Sequence, residues 1–206
     1  TATGAWYLHV QGFNADNVAN GTYDYTISVS DCAPATILAA LSRKTQGSAG
    51  IFDIDVLAAN ASECRANGPV EVIVTFDKAI QAVGGADPTD VGLSSGTVSQ
   101  VSISGSELTI DMSGVTDVSK LTISFPGIQD TGGTAITQTL CFRVLKGDVT
   151  GDGLVNVFDL VAAKNQVNKP VTITNFRSDV TGDGGVNVFD LMAVKNNLNK
   201  TVAVCP

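Results

Sequence analysis

Charged residues are scarce in this 206-residue sequence, and it contains a single histidine, His9. General acid–base and nucleophilic catalysis most often use histidine, and no serine or cysteine can be matched with His9 from the sequence. The glycines fall in turns or in acidic loops, not in a phosphate-binding loop. Asp53 and Asp55 alternate along one apolar run, which is typical of a solvated strand face and not of a glycosidase carboxylate pair. We therefore expect no catalytic residue in this chain.

Lysine and arginine are also few, because 12 basic residues stand against 20 acidic ones and the net charge is −8. Nucleic acids and anionic membrane surfaces attract clustered basic side chains, so the net charge argues against both as partners. No apolar run approaches the roughly 20 residues of a membrane-spanning helix. The chain begins with Thr1 and without the basic and apolar regions of a signal peptide, which favours processing or truncation.

The four cysteines show no CxxC or Cys/His metal spacing. An even number of cysteines in a chain rich in glycine and threonine indicates disulfides and an oxidising compartment, so we expect a secreted, extracellular protein. Four cysteines allow three pairings, and the sequence does not choose among them. Their distribution suggests Cys64 with Cys141, and Cys32 and Cys205 would then pair or remain free.

Residues 1–32 read as a β-hairpin, with alternating runs at 5–13 and 23–30 around turn-forming residues. They resemble the last two strands of small β-domains near the C-termini of secreted bacterial peptidases. Two strands do not form a domain alone. The hairpin must pack on the next part of the chain, complete a neighbour's sheet, or be the remnant of an upstream β-domain.

Residues 33–146 consist of short apolar runs separated by turns, without a convincing long helix. This spacing predicts an immunoglobulin-like antiparallel β-sandwich, in which 33–45 is either a short helix or a strand. The predicted strands are 51–57, 70–76, 98–104, 107–112, 120–125 and 139–145.

The sequence GDVTGDGLVNVFDL at 147–160 returns as SDVTGDGGVNVFDL at 178–191. Its acids and oxygen-bearing residues have the spacing of an EF-hand calcium loop, with glycine at position 6 where the backbone reverses. We therefore predict two Ca²⁺ ions, and we expect Val155 and Val186 to join the two loops through a short β-bridge. The predicted ligands are Asp148, Thr150, Asp152, Leu154 (by its carbonyl), Asn156 and Asp159 in the first loop, and Asp179, Thr181, Asp183, Gly185, Asn187 and Asp190 in the second.

A helix should begin near position 10 of each loop, at Val157 and at Val188. Only Lys146 and Gly147 separate the last strand from the first aspartate, so we expect the C-terminal module to be docked on the sandwich. The predicted buried faces are Leu160, Val161, Ala163 and Val167 in the first helix, and Leu191, Met192, Val194 and Leu198 in the second.

A duplicated loop–helix pair without an entering helix resembles a dockerin, over residues 147–200. Dockerins are calcium-stabilised domains that join secreted bacterial proteins to cohesin domains. The resemblance implies two symmetry-related partner surfaces, in which Val-Phe replaces the usual small hydroxyl pair at positions 10 and 11. Both phenylalanines could instead pack in the core or against the sandwich. The candidate partner residues are Val157, Phe158, Lys164, Asn165, Val188, Phe189, Lys195 and Asn196.

The resulting prediction has three parts: a hairpin remnant at 1–32, a sandwich at 33–146 and a dockerin-like module at 147–206. Together they form a non-catalytic extracellular attachment module that binds a cohesin-like or cell-surface partner. Any catalytic domain would lie upstream in the parent protein. The alternative is a calcium-stabilised structural subunit of a filament or surface layer, which assembles with itself by N-terminal strand addition.

Overall fold

Two larger β-sheets, a two-stranded sheet and a small helical module make up the part of the chain that the structure, a computed structural model, describes: residues 33–58 and 61–205. The strands are β1 Ile37–Gln46, β2 Gly50–Asp55, β3 Ser62–Glu63, β4 Glu71–Phe76, β5 Ile80–Ala82, β6 Gly92–Leu93, β7 Thr97–Ser104, β8 Glu107–Ser113, β9 Ser119–Ser124, β10 Ile128–Asp130 and β11 Leu140–Val144. One sheet has the order β2-β1-β4-β8-β7 and the other the order β3-β11-β9-β6, while β10 pairs with β5.

Alternating apolar residues form a single core between the two sheets. In β8, Leu108 and Ile110 are fully buried while Thr109 and Asp111, which alternate with them, are more exposed, which is the period-2 pattern of a strand with one solvated face. The other sheet contributes Leu121 and Phe142 to the same cluster. The predicted mainly-β sandwich is therefore confirmed, and the segment left open at 33–45 forms a strand from Ile37 onwards.

The strand pairing departs from a wholly antiparallel sandwich at one place. β3 pairs with β11 in parallel, with Ser62 opposite Arg143, whereas the other paired strands of the described residues run antiparallel. A two-residue strand is too short to show periodicity, so the sequence carried no signal for β3. The immunoglobulin-like topology and the domain boundaries stay predictions.

A second, smaller core lies in the helical module, which contains α1 Val157–Lys164 and α2 Val188–Lys195. Both helices begin where the repeat predicts. Their starts are capped by Asn156 and Asn187, whose side chains accept hydrogen bonds from the Phe158 and Phe189 amides. This asparagine at position 9 therefore has a capping role that the calcium spacing alone does not reveal.

The predicted β-bridge between the two loops is wrong, because each loop pairs with the segment after the other loop's helix. The Val155 amide donates to the Lys200 carbonyl at 2.9 Å, and Asn168 donates to the Val186 carbonyl at 2.9 Å. Each loop therefore lies beside the C-terminal end of the opposite helix, which makes the two helices antiparallel.

The suggested pairing of Cys64 with Cys141 is also wrong. Cys141 in β11 is bonded to Cys205, with their Cα atoms 5.9 Å apart, and Cys64 is a buried free thiol. Tertiary proximity decides the pairing, because β11 and the C-terminal segment lie together across 64 positions of sequence. The bond ties the sandwich to the end of the module.

The N-terminal hairpin predicted at 1–32 lies outside the described residues, as do His9 and Cys32. Among the helices that the structure does describe, none has the length and apolar character needed to cross a membrane.

Candidate metal centre

Each repeat brings three carboxylates to one point. Oxygens of Asp148, Asp152 and Asp159 lie within 4.8 Å of one another, and the second loop places Asp179, Asp183 and Asp190 in the same way. In each triad the first and last aspartates are fully buried and the middle one is exposed. An exclusively oxygen donor set suits a hard cation, and Ca²⁺ takes its ligands from loops with this spacing.

Backbone amides hold the buried carboxylates in place. The Asp148 side chain accepts from the Gly151 amide at 2.9 Å and the Gly153 amide at 3.0 Å, and Asp159 accepts from the Thr150 and Asn156 amides. Burial raises the pKa of Asp148, and burial likewise raises that of Asp179, because a charged carboxylate loses hydration there. A bound dication would offset that cost, so the donor set fits calcium.

The remaining predicted ligands lie around the triads. The hydroxyls of Thr150 and Thr181 donate to Asp159 and Asp190 at 2.9 Å, which places both threonines at the carboxylate clusters. The Leu154 amide donates to Asp152, and the Gly185 carbonyl accepts from Asn187 at 3.1 Å. The Asn156 side-chain oxygen accepts from the Phe158 amide. Their roles as calcium ligands stay predictions.

The predicted partner residues are exposed on the two helices. Phe158 is 70% exposed and Phe189 is 63% exposed, so the alternative that they pack in a core is wrong. The lysines and asparagines of the set are exposed as well. Two residues that we expected on the buried faces, Val161 and Met192, are 47% and 51% exposed and lie one turn beyond the Val-Phe pairs.

Residues of the sandwich hold the loops from outside, and the sequence offered no signal for them. The side-chain amide of Gln46 donates to the Phe176 carbonyl at 3.0 Å and to the Asp179 carbonyl at 2.8 Å. Arg143 in β11 donates to the carbonyls of Gly151 and Asp152 in the first loop. These contacts confirm that the module is docked on the sandwich.

Comparison with known proteins identifies the module. Residues 146–199 match the family model of the dockerin type I domain. They form a dockerin domain. No curated protein matches the chain. Dockerin domains are non-catalytic modules that bind cohesin domains in a calcium-dependent manner, and they occur in extracellular bacterial proteins. The predicted attachment function and the two calcium sites are thereby confirmed for this dockerin.

Two solved structures of the bacterial S-layer protein SbsC, one of its N-terminal part and one of rSbsC(31-844), are similar to 41% of this chain at 21% identity. The match spans 22% and 13% of those chains, with a TM-score of 0.33 in both cases. A TM-score this low carries no argument about the fold or the function of this protein.

Proposed function

We propose that the dockerin binds its partner through two apolar surfaces, one on each helix. The first surface consists of Val157, Phe158 and Val161 with Lys164 and Asn165. The second consists of Val188, Phe189 and Met192 with Lys195 and Asn196.

The observation that supports these surfaces is the exposure of the phenylalanines at the start of both helices. Three apolar side chains on each helix, including Phe158 and Phe189, are more than 45% exposed although an apolar core is available beside them. Contiguous apolar exposure of this kind marks protein-binding sites, and aromatic residues dominate the binding energy of such sites. The partner pocket should therefore be apolar rather than lined by hydroxyl acceptors.

We further propose that the whole chain acts by binding and not by catalysis, with the sandwich serving as a rigid spacer. The two acidic triads belong to the calcium loops, where they serve as candidate ligands and not as catalytic groups. Asp53 on the sandwich is paired with Arg43 at 2.8 Å, and Asp55 caps the backbone amides that follow its own strand. Attachment through the dockerin would hold a secreted protein at a scaffold or cell surface.

The test uses purified cohesin domains with different pocket chemistry and measures binding to the immobilised 206-residue chain by biolayer interferometry, with calcium and with EDTA. We expect calcium-dependent binding to cohesins with an apolar pocket. Phe158→Ser or Phe189→Ser alone should weaken binding modestly if either surface suffices, and the double variant should abolish it. Ile173→Ser, which changes an equally exposed residue outside both surfaces, is the matched control.

Equal binding by the double variant and the wild type would contradict these surfaces. Self-assembly by strand addition depends on residues 1–32, which lie outside the described residues, and it stays a prediction. Size-exclusion chromatography addresses it directly, because a calcium-loaded monomer argues against a self-assembling subunit.

A further inference from the structure

The two calcium loops are nearly identical in sequence but have different surroundings. From their first aspartates, the thirteen residues 148–160 and 179–191 differ only at Leu154, where the second copy has Gly185. A difference in behaviour between the loops therefore comes either from this one position or from what the tertiary structure places beside each loop, and variants of the surrounding residues separate the two.

Two arginine side chains donate hydrogen bonds to the backbone carbonyls of the first loop. Arg177, in the connection between the helices, donates to the carbonyls of Asp148 and Val149, both at 2.9 Å. Arg143 donates to the carbonyls of Gly151 at 2.9 Å and of Asp152 at 3.1 Å. Each planar guanidinium thus spans two consecutive carbonyls, as its fork geometry allows.

Glycines in the first loop leave room for these guanidinium groups. A Cβ at Gly153 would lie 1.8 Å from an Arg143 nitrogen, and a Cβ at Gly151 would lie 3.3 Å from an Arg177 nitrogen. The C-terminal segment adds a further clamp, since the Val202 amide donates to the Gly153 carbonyl at 3.0 Å.

Neutral groups hold the second loop at the corresponding carbonyls. The Asp179 carbonyl accepts from the Gln46 side-chain amide at 2.8 Å, and the Val180 carbonyl accepts from the Ala66 backbone amide at 2.7 Å. These donors occupy the positions that Arg177 serves in the first loop, but they bring no charge.

This difference changes the electrostatics of the loops when calcium is removed. The Arg177 guanidinium, bonded to the Asp148 and Val149 carbonyls, brings a positive charge beside the first triad. The corresponding carbonyls of the second loop accept from neutral donors. Three clustered carboxylates repel one another without a cation, and within the described residues only the first triad has guanidinium groups bonded to its own loop backbone.

We propose that Arg143 and Arg177 are positioning residues that keep the first calcium loop in its ion-binding shape without calcium, whereas the second loop takes that shape only when calcium binds. Calcium then orders mainly the second loop, whose helix α2 carries Phe189 and Met192. This proposal rests on the calcium-dependent attachment proposed above, and it adds that the two loops differ in whether they need calcium to take their ion-binding shape.

Hydrogen exchange read by mass spectrometry tests the inference on the full chain, with EDTA and with excess calcium. Peptides covering 148–159 and 179–190 have almost the same intrinsic exchange rates, since their sequences differ at one position. In EDTA we expect the first loop to exchange about tenfold more slowly than the second, because hydrogen bonds from charged donors resist opening. In excess calcium both loops should be protected.

Variants separate positioning from folding. Arg177→Gln should bring the first loop to the exchange rate of the second in EDTA, and it should change neither loop in excess calcium. Arg177→Lys, which keeps the charge but loses the fork, should have an intermediate effect. Arg43→Gln is the matched control, because it removes an arginine of the sandwich that pairs with Asp53 and not with a calcium loop. Arg143→Gln should act like Arg177→Gln if the sandwich retains its circular dichroism.

Equal exchange of both loops in EDTA would overturn the inference and leave calcium binding intact. An effect of Arg177→Gln that is as large in excess calcium as in EDTA would also overturn it, since that result marks a purely structural role. If calcium changed the exchange of neither loop, the calcium-dependent function itself would fail, and this inference would fail with it.

Discussion

The docking of the dockerin on the sandwich can be tested at Phe176, which precedes the second calcium loop by three residues. Its side chain is buried within the core of the sandwich, although it belongs to the connection between the dockerin helices. The ring stacks on Phe52 with centroids 5.3 Å apart and planes at 7°, and Arg65 lies over it at 5.8 Å. Replacing Phe176 with alanine therefore removes a contact by which the dockerin packs into the core of the sandwich.

The expected cost follows from the size of the buried ring. A buried Phe→Ala substitution costs about 3–5 kcal/mol, because apolar burial is lost and the cavity does not fully close. The stacking with Phe52, about 0.5–1.5 kcal/mol, is part of that loss. With a urea m-value of about 2 kcal/mol/M, a loss of about 4 kcal/mol lowers the unfolding midpoint by about 2 M.

Urea unfolding followed by far-UV circular dichroism in excess calcium measures the effect. Ile173→Ala is the matched control, because Ile173 lies in the same connection and is 70% exposed, so its loss should change stability by no more than about 0.5 kcal/mol. If Phe176→Ala shifted the midpoint no further than Ile173→Ala does, Phe176 would not join the dockerin to the sandwich core, and the reasoning would be refuted.

Three further predictions concern the ions and the cysteines. EDTA should lower the melting temperature, because each calcium site stabilises the folded chain by about 2.7 kcal/mol when free calcium is 100-fold above Kd. Asp159→Asn should remove roughly half of that stabilisation, and a melting temperature that is the same with and without EDTA would contradict both sites. Burial raises the pKa of the Cys64 thiol to about 11, so iodoacetamide should label it, as read by peptide mass, only after unfolding; fast labelling of the native chain would show that it is accessible. Cys141→Ser with Cys205→Ser should cost up to about 4 kcal/mol in urea unfolding, because the bond closes a loop across 64 positions; an unchanged midpoint would mean that the bond constrains little.

Local sequence patterns predicted those parts of this protein whose structure depends on residues close together in sequence. The period-2 runs gave the long strands to within about two residues, as at β8, where the expected 107–112 is Glu107–Ser113. The calcium loops and the first residues of the helices could be predicted equally well, because ligand spacing and helix capping both depend on residues within one stretch of thirteen. The shortest strands, such as β3, were missed since two residues carry no periodicity.

The dockerin's surfaces and supports needed the tertiary structure. Val161 and Met192 are apolar, and a helical pattern assigns them to the buried side, but the tertiary structure leaves them exposed, one turn from Phe158 and Phe189. No local pattern shows whether an apolar side chain finds a neighbour, because that depends on elements far away in sequence.

Sequence patterns alone were enough to predict a β-sandwich followed by two calcium loops, each of which runs into a helix. Those features arise from interactions within one turn, one strand or one loop. The disulfide between Cys141 and Cys205 could be read from the three-dimensional fold but not from these patterns. The same holds for the contacts of Arg143 and Arg177 with the first loop and of Gln46 with the second. Two copies of one motif thus acquire different surroundings, because the packing of sheets and helices brings different distant residues to each copy.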